Sequence, residues 1–264
     1  MSQNILDTIA AATIERVAAA KEIISAADMK RKALAMGTDT GFPFEKALQS
    51  SDIAFICECK KASPSKGVIA ENFPYLQIAK EYEQAGAAAI SVLTEPKWFM
   101  GSNEILREIA SEVKIPCLRK DFTVDEYMIY EAKVLGAAAV LLICALLDEK
   151  RLAEYIDICD SLGLSAVVEA HDEREIAMAV RAGARIIGVN NRNLKDFSVD
   201  VGNSKRLRKS APDDVLFVAE SGIKTATDIE ALRLAGVDAV LIGETLMRAK
   251  DKKQMLESLK GLGE

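Results

Sequence analysis

Eight short apolar runs, each followed by a polar loop and a helix-patterned stretch, constrain this chain more than any other feature. The runs are Ala54–Cys59, Ala88–Leu93, Ile115–Arg119, Ala138–Ile143, Ser165–Glu169, Arg185–Asn190, Val215–Glu220 and Asp238–Ile242. They are nearly continuous in apolar residues, the pattern of strands buried on both faces. Amphipathic helix patterns such as Pro74–Ala85, Val124–Leu135, Glu149–Leu162 and Thr225–Leu234 lie between them. Strands alternating with helices predict a parallel sheet. The segments Ala85-Gly86-Ala87-Ala88, Leu135-Gly136-Ala137-Ala138, Ala182-Gly183-Ala184-Arg185 and Ala235-Gly236-Val237-Asp238 recur before the second, fourth, sixth and eighth strands. Glycine suits the left-handed turn past a helix end. Recurrence at about twice the length of a βα unit fits a closed barrel, whereas an open doubly wound sheet gives no reason for it. The expected fold is α/β, a single (β/α)8 TIM barrel, for which 264 residues is ample.

Residues from about Ile5 to Met36 have helical periodicity, with Ile5, Ile9, Thr13, Ile14 and Val17 on one side and Gly37, Gly41 and Pro43 closing the region. Residues 1–48 therefore read as an N-terminal helical extension packed as a lid on one end of a barrel formed by 49–264, the whole making one domain. About 35 residues bury too little core to stand alone. A formal charge of −6 argues against general nucleic-acid binding and leaves any anion to a local cluster of Lys, Arg and backbone N–H groups. The five cysteines, at 57, 59, 117, 144 and 159, read as reduced, buried thiols of a cytoplasmic protein. A Cys57-x-Cys59 pair lacks the further ligands of a zinc site, and His171 is the only histidine, so His-based metal sites and Ser-His-Asp chemistry are not expected. No run reaches membrane-spanning length, and no signal-peptide pattern opens the chain.

In such barrels the reactive side chains lie at the C-terminal ends of the strands. Here those ends supply Glu58 and Lys60, Lys120, Glu169, Asn190 followed by Arg192, Glu220-Ser221-Gly222, and Gly243-Glu244-Thr245. Any one of them has a bland reading: Lys120 beside Asp121 as a surface pair, Glu169 as an exposed strand end. Together they predict one active site. Ser221-Gly222 and Gly243-Glu244, after the last two strands, hold the usual phosphate position, with Lys60, Ser63 and Arg192 adding charge and hydrogen bonds. Glu58, Lys120, Glu169 and Asn190 face the rest of the ligand, where neighbouring carboxylates and lysines split into acid and base roles. Ala62, Phe99, Phe122 and the N-terminal helix offer an apolar wall for a phenyl-like group.

At these residues the chain resembles the indole-3-glycerol phosphate synthase family. The matching stretches are Glu58-Cys59-Lys60-Lys61-Ala62-Ser63-Pro64-Ser65-Lys66-Gly67, Ser91-Val92-Leu93-Thr94-Glu95, Leu118-Arg119-Lys120-Asp121-Phe122 and Val168-Glu169-Ala170-His171. They continue with Gly188-Val189-Asn190-Asn191-Arg192-Asn193-Leu194, Ala219-Glu220-Ser221-Gly222-Ile223 and Leu241-Ile242-Gly243-Glu244-Thr245-Leu246-Met247. The first, third and sixth are specific as a set, while the glycine turns are shared with many phosphate-binding barrels. The resemblance implies closure of 1-(2-carboxyphenylamino)-1-deoxyribulose 5-phosphate to an indole with loss of CO2 and water, without metal or organic cofactor. It implies Lys120 as general acid on the ribulose carbonyl, and Glu169 assisting proton transfer in the dehydration with Lys60 as its partner. Glu58 would orient the lysines and bind hydroxyls, with Asn190 and Glu220 positioning substrate and catalytic groups. Lys60, Ser63, Ser221, Gly222, Gly243, Glu244 and nearby Arg192 match the phosphate region.

The departures from the family pattern are mild: Ala170 for a larger aliphatic residue, Asn193 for Asp, Thr245 for Ser, and Cys57 and Cys59 flanking Glu58 where aliphatic residues are usual. One barrel's length implies a monofunctional enzyme, a monomer or weak homo-oligomer whose partner is a small phosphorylated molecule, not a nucleic acid or membrane. Three other readings stay open. A Schiff-base aldolase would use Lys120 as nucleophile. A sugar-phosphate isomerase would need a Cys or Asp acid–base pair that these strand ends do not supply. A non-catalytic ligand-binding barrel would lack at least one acid–base group.

Overall fold

The computed structural model describes residues 5–50, 52–193 and 197–261. Eight parallel strands close a barrel: β1 (Ala54–Cys59), β2 (Ala89–Leu93), β3 (Cys117–Lys120), β4 (Ala139–Ile143), β5 (Ser165–Ala170), β6 (Ile186–Asn190), β7 (Leu216–Glu220) and β8 (Ala239–Ile242). Each pairs with its neighbours in the chain, and β1 pairs with β8 through Ala54↔Ala239 and Phe55↔Val240, so no edge is left open. The chain is thus a (β/α)8 TIM barrel with N-terminal helices. A small antiparallel hairpin, Ala62–Ser63 with Gly67–Val68, folds the loop after β1.

The alternation along β1 sets the two layers of the core. Ile53, Phe55, Cys57 and Cys59 face the surrounding helices, whereas Ala54 and Ile56 face the barrel interior. All five cysteines are buried and free, and burial pushes the Cys57 and Cys117 thiols up to about 12. Several outer helices start where a capping side chain takes an early N–H: Ser102 from Ile105, Asp125 from Tyr127, Asp148 from Arg151, Asp172 from Glu175. Thr225 and Asp228 form a reciprocal capping box ahead of Ala226–Leu234.

The four repeated glycines all adopt the left-handed turn, at φ +80° for Gly86, +87° for Gly136, +90° for Gly183 and +77° for Gly236. A fifth, Gly163 (φ +66°), does the same before β5 and breaks the even-strand pairing expected from the sequence. It serves a different purpose. A Cβ there would lie 2.2 Å from the Thr38 carbonyl oxygen, and Thr40 Oγ1 donates to the Gly163 carbonyl at 2.7 Å. The N-terminal segment docks on this turn.

That segment is not one helix. α1 (Ile5–Ile23) stops short of Ser25, which caps α2 (Ala26–Leu34) by taking the Asp28 N–H at 3.1 Å. Ile14, expected on the packed face, is 58% exposed, while Thr13 is buried. Pro43, read as a terminator, instead opens α3 (Pro43–Leu48), since proline suits the first helical position. The two ends of the extension go to opposite ends of the barrel. Phe44 and Leu48 of α3 are buried with Ala54, Ala89, Ala139 and Ala239, the first residues of four strands. Ile5 and Ile9 of α1 reach over the other end, which carries the cavity.

Candidate active site

The C-terminal ends of the strands surround a cavity of about 830 Å³, and every site residue named from the sequence lines it except Ala62. Its floor is ionic. Lys120, the last residue of β3, places Nζ 3.3 Å from Glu169 Oε2 and 3.3 Å from Glu220 Oε2. The Lys60 ammonium lies 2.5 Å from Glu58 Oε1. Asn190 Oδ1 takes the Arg192 N–H at 3.0 Å, and its side chain also hydrogen-bonds Glu169. Two glycines make room for these groups. A Cβ on Gly188 would meet Glu220 Oε1 at 2.4 Å, and one on Gly243 would meet Glu58 Oε1 at 2.3 Å and Lys60 Nζ at 2.9 Å.

These side chains are withdrawn from water: Lys120 is 13% exposed, Glu169 3% and Glu220 2%. Burial alone would favour neutral Lys120, yet Glu220, Glu169 and Glu58 outweigh it and hold the ammonium above its ordinary range. Burial pushes Glu169 up, but Lys120 and His171 outweigh that and hold it below the usual carboxylate range. Glu220 goes the other way. Burial, with the charges of Glu169 and Glu58 added, overcomes its pairing with Lys120 and pushes it up to about 7. Two carboxylates on one lysine are thereby split into an ionised group and one that holds a proton near neutrality.

The rim after β7 and β8 presents backbone. Ser221 (φ +69°) and Gly222 (φ +82°) are both left-handed, and a Cβ on Gly222 would lie 2.3 Å from Val199 Cγ1. Gly243 caps a short helix, Glu244–Arg248, whose first N–H groups have no partner within the helix. The Glu244 carboxylate turns to Arg248 (3.1 Å) and Lys66 (3.9 Å), so what it offers an anion is its N–H. Thr245 Oγ1 donates to the Ile223 carbonyl at 2.8 Å, tying the two rim loops together. Lys60, Ser63 and Arg192 line the cavity with them, and Arg192 Nη1 donates to the Phe197 carbonyl at 3.3 Å. Leu194, part of the matching stretch after β6, lies outside the described residues.

Opposite this rim the wall is apolar. The Phe99 and Phe122 rings sit 6.0 Å apart, with Ile5, Ile9, Leu93, Leu141 and Ile143 around the same cavity. Ala62 is not part of that wall: it is buried in the hairpin, its N–H on the Phe99 carbonyl, and Pro64 and Ser65 line the cavity in its place. Among the described residues no group of three or more His, Cys, Asp or Glu side chains is placed to hold a metal ion.

Sequence reasoning missed the groups that brace this site. Asp121 is no surface partner of Lys120. Its buried carboxylate turns away to Arg16 of α1 (2.8 Å), Thr94 (2.6 Å) and the Phe122 N–H (2.8 Å). Arg119 is buried and donates to Thr94, Asn103, Glu131 and the Met128 carbonyl. Glu95 takes the N–H groups of Lys97, Trp98 and Phe99 at 2.9, 2.7 and 3.0 Å, shaping the loop that carries Phe99. His171 lies 3.4 Å from Glu169. The available signal was a charged residue inside or just after an apolar run, as at Arg119 and Glu95.

A family model described as indole-3-glycerol phosphate synthase matches residues 6–259. Indole-3-glycerol phosphate synthase of Ruminiclostridium cellulolyticum is 58% identical over 97% of this chain and 99% of its own length. The protein of that name from Endomicrobium trichonymphae is 55% identical over 97% and 99%, and that from Leuconostoc mesenteroides subsp. mesenteroides 51% over 97% and 99%. Among solved structures, a 3-hexulose-6-phosphate synthase shares the fold at TM-score 0.66 with 15% identity, over 80% of this chain and all of that one.

Proposed function

The chain belongs to the indole-3-glycerol phosphate synthase family, and on that premise we propose how its cavity residues divide the work. It is a carbon–carbon lyase of tryptophan biosynthesis that converts 1-(2-carboxyphenylamino)-1-deoxyribulose 5-phosphate to indole-3-glycerol phosphate, CO2 and water. In our reading the Lys120 ammonium gives its proton to the ribulose carbonyl oxygen while the carboxylate-bearing ring carbon attacks the carbonyl carbon. The bond to the carboxylate then breaks, its electron pair restores the aromatic ring, and CO2 leaves. Next the new hydroxyl departs as water, protonated with help from Lys60, while Glu169 takes the proton lost from the adjacent carbon. Glu58 holds Lys60 and binds substrate hydroxyls, Asn190 orients Glu169, and Glu220 holds Lys120. The phosphate rests on Ser221, Gly222, Gly243 and the Glu244 N–H with Lys60, Ser63 and Arg192, and the carboxyphenyl ring lies on Phe99 and Phe122.

The observation that carries this reading is the Lys120 ammonium held 3.3 Å from each of two carboxylates on the floor of a cavity with an apolar wall on one side. A Schiff-base aldolase needs a neutral lysine as nucleophile, and the carboxylates around Lys120 favour the charged form, which weighs against it. The test is to supply the carboxyphenylamino-ribulose phosphate and follow indole fluorescence. Turnover by the wild-type chain is expected, with Lys120→Met inactive. A lysine adduct trapped by borohydride would favour the aldolase.

We further read residues 1–48 as an extension of one barrel domain, not a separate unit. We place the enzyme in the cytoplasm, where five buried, reduced thiols are stable, as a monomer or weak homo-oligomer that uses no cofactor. Among the described residues no helix is long and apolar enough to cross a membrane.

A further inference from the structure

The reaction consumes a proton. The carboxylate leaves as neutral CO2 and the carbonyl oxygen as water, so two protons are added to oxygen while one is lost from carbon. With substrate filling the cavity and its floor groups nearly inaccessible, that proton needs a route other than the mouth. Resting on the assignment of Glu169 above, we propose that His171 is the relay that brings it, acting through Glu169, with Nε2 3.4 Å from Glu169 Oε1 and Nδ1 3.2 Å from Glu175 Oε2.

The local chain builds this line. His171 follows the last residue of β5, and its N–H donates to Glu175 Oε2 at 2.7 Å, while Asp172 takes the Glu175 N–H at 2.8 Å. The ring is held at its outer edge, and its inner nitrogen is the loose end. Nε2 is buried without a hydrogen-bond partner, close to Glu169 but out of line with it, so a small rotation completes the contact. Glu169 is 3% exposed, whereas His171 and Glu175 reach solvent at 23% and 21%. Glu169 on β5, Glu220 on β7, Glu175 and Asp172 beside the ring, and the Cys144 thiol 3.7 Å from the Glu175 carbonyl are the ionisable groups of this corner. Burial lowers the imidazole, but Glu175, Glu169 and Glu220 outweigh it and keep the ring protonated above its usual range.

After the two steps Lys120 and Lys60 have each given up a proton, and Glu169 holds the one lost from carbon, which it returns to Lys60, its partner in the dehydration. The Nε2–H bond of His171 then breaks as an O–H bond forms at the freed Glu169 carboxylate, and that O–H bond breaks in turn as an N–H bond re-forms on Lys120, 3.3 Å away, leaving Glu169 ionised again. The neutral ring turns its bare nitrogen to solvent and is recharged there.

Single-turnover indole formation with His171→Asn tests this. The expected result is a chemical step slowed about tenfold with KM unchanged, a rate that climbs with buffer concentration, and recovery on adding imidazole. A wild-type rate in His171→Asn, or a slowed rate that neither buffer nor imidazole restores, overturns the relay. If His171→Asn does not fold, His171→Gln is read the same way. Glu169→Gln separates the two levels. Turnover surviving in it removes the base assignment itself, whereas loss in Glu169→Gln beside an unaffected His171→Asn removes only the relay.

Discussion

The two ends of the barrel are made from the same eight strands by opposite means. At the end where the strands begin, the inward residues include Ala54, Ala89, Ala139 and Ala239, and the space they leave is filled by Phe44 and Leu48 of α3. Where the strands finish, the inward positions carry Glu58, Lys120, Glu169, Asn190 and Glu220 around an open cavity. Small residues invite a plug, and a plug is stabilising. Charged residues that must meet a ligand cannot be plugged, so they hold one another. The first inward residue of a strand serves packing and the last serves chemistry, which is the division expected of this architecture.

Substitutions at the two ends should therefore separate activity from stability. The largest effect is expected at the open end: Lys120→Met should lower kcat by about 10³-fold or more, the scale of a lost general acid, while a cooperative melt is retained. Residual turnover within tenfold of wild type would remove Lys120 from the chemistry. At the plugged end Phe44→Ala should cost about 3–5 kcal/mol, read as a lower urea midpoint, because a fully buried ring leaves a void. Its kcat below the transition should match wild type. A fall in kcat there would mean that the plug shapes the site through the barrel.

The same contrast separates what was legible in the sequence from what was not. Strand runs such as Ala54–Cys59 and the polar residues at or just after the ends of most of them could be read directly, because burial on both faces leaves a continuous apolar signature and the chemistry sits at fixed strand ends. The plug could not. Gly41 and Pro43 look like terminators, and only the packed structure shows Pro43 opening a helix whose Phe44 is buried with alanines from four different strands. Ile14 was misplaced because hydrophobicity does not tell which side of a thin lid meets solvent. Asp121, Arg16 and Arg119 share the same difficulty. Ion pairs such as Arg16–Asp121 join residues 105 apart, and no local period marks such a pair.

A smaller effect is expected at Gly243, where open end and backbone meet. The position does not need a left-handed turn, having φ −113°. It needs space, since a Cβ would reach 2.3 Å from Glu58 Oε1. Gly243→Ala should therefore move Glu58 and Lys60 without unfolding the barrel, raising KM about 10-fold or more with little change in urea midpoint. An unchanged KM would show that the pair gives way freely and that the rim, not Lys60, holds the phosphate.

The smallest effect is a change of sign. If the open end is arranged for chemistry at the expense of stability, neutralising one of its charges should stabilise the protein. Glu220 is the group to test, because its carboxyl is pushed from 4.5 to about 7 by burial and by Glu169 and Glu58. The folded chain then binds more protons than the unfolded chain between those values. Stability must fall as pH rises from 4.5 through 7, and the deficit is fully developed above 7. Glu220→Gln removes it while leaving Glu169 to hold Lys120. The variant should exceed wild type by about 1–3 kcal/mol at pH 8, by the linkage between shift and stability, and match it near pH 4.5, with reduced turnover throughout. Urea midpoints at the two pH values decide the matter. A variant weaker than wild type at pH 8 would mean that Glu220 is ionised and stabilises through Lys120, and the two ends would then contribute to stability with the same sign.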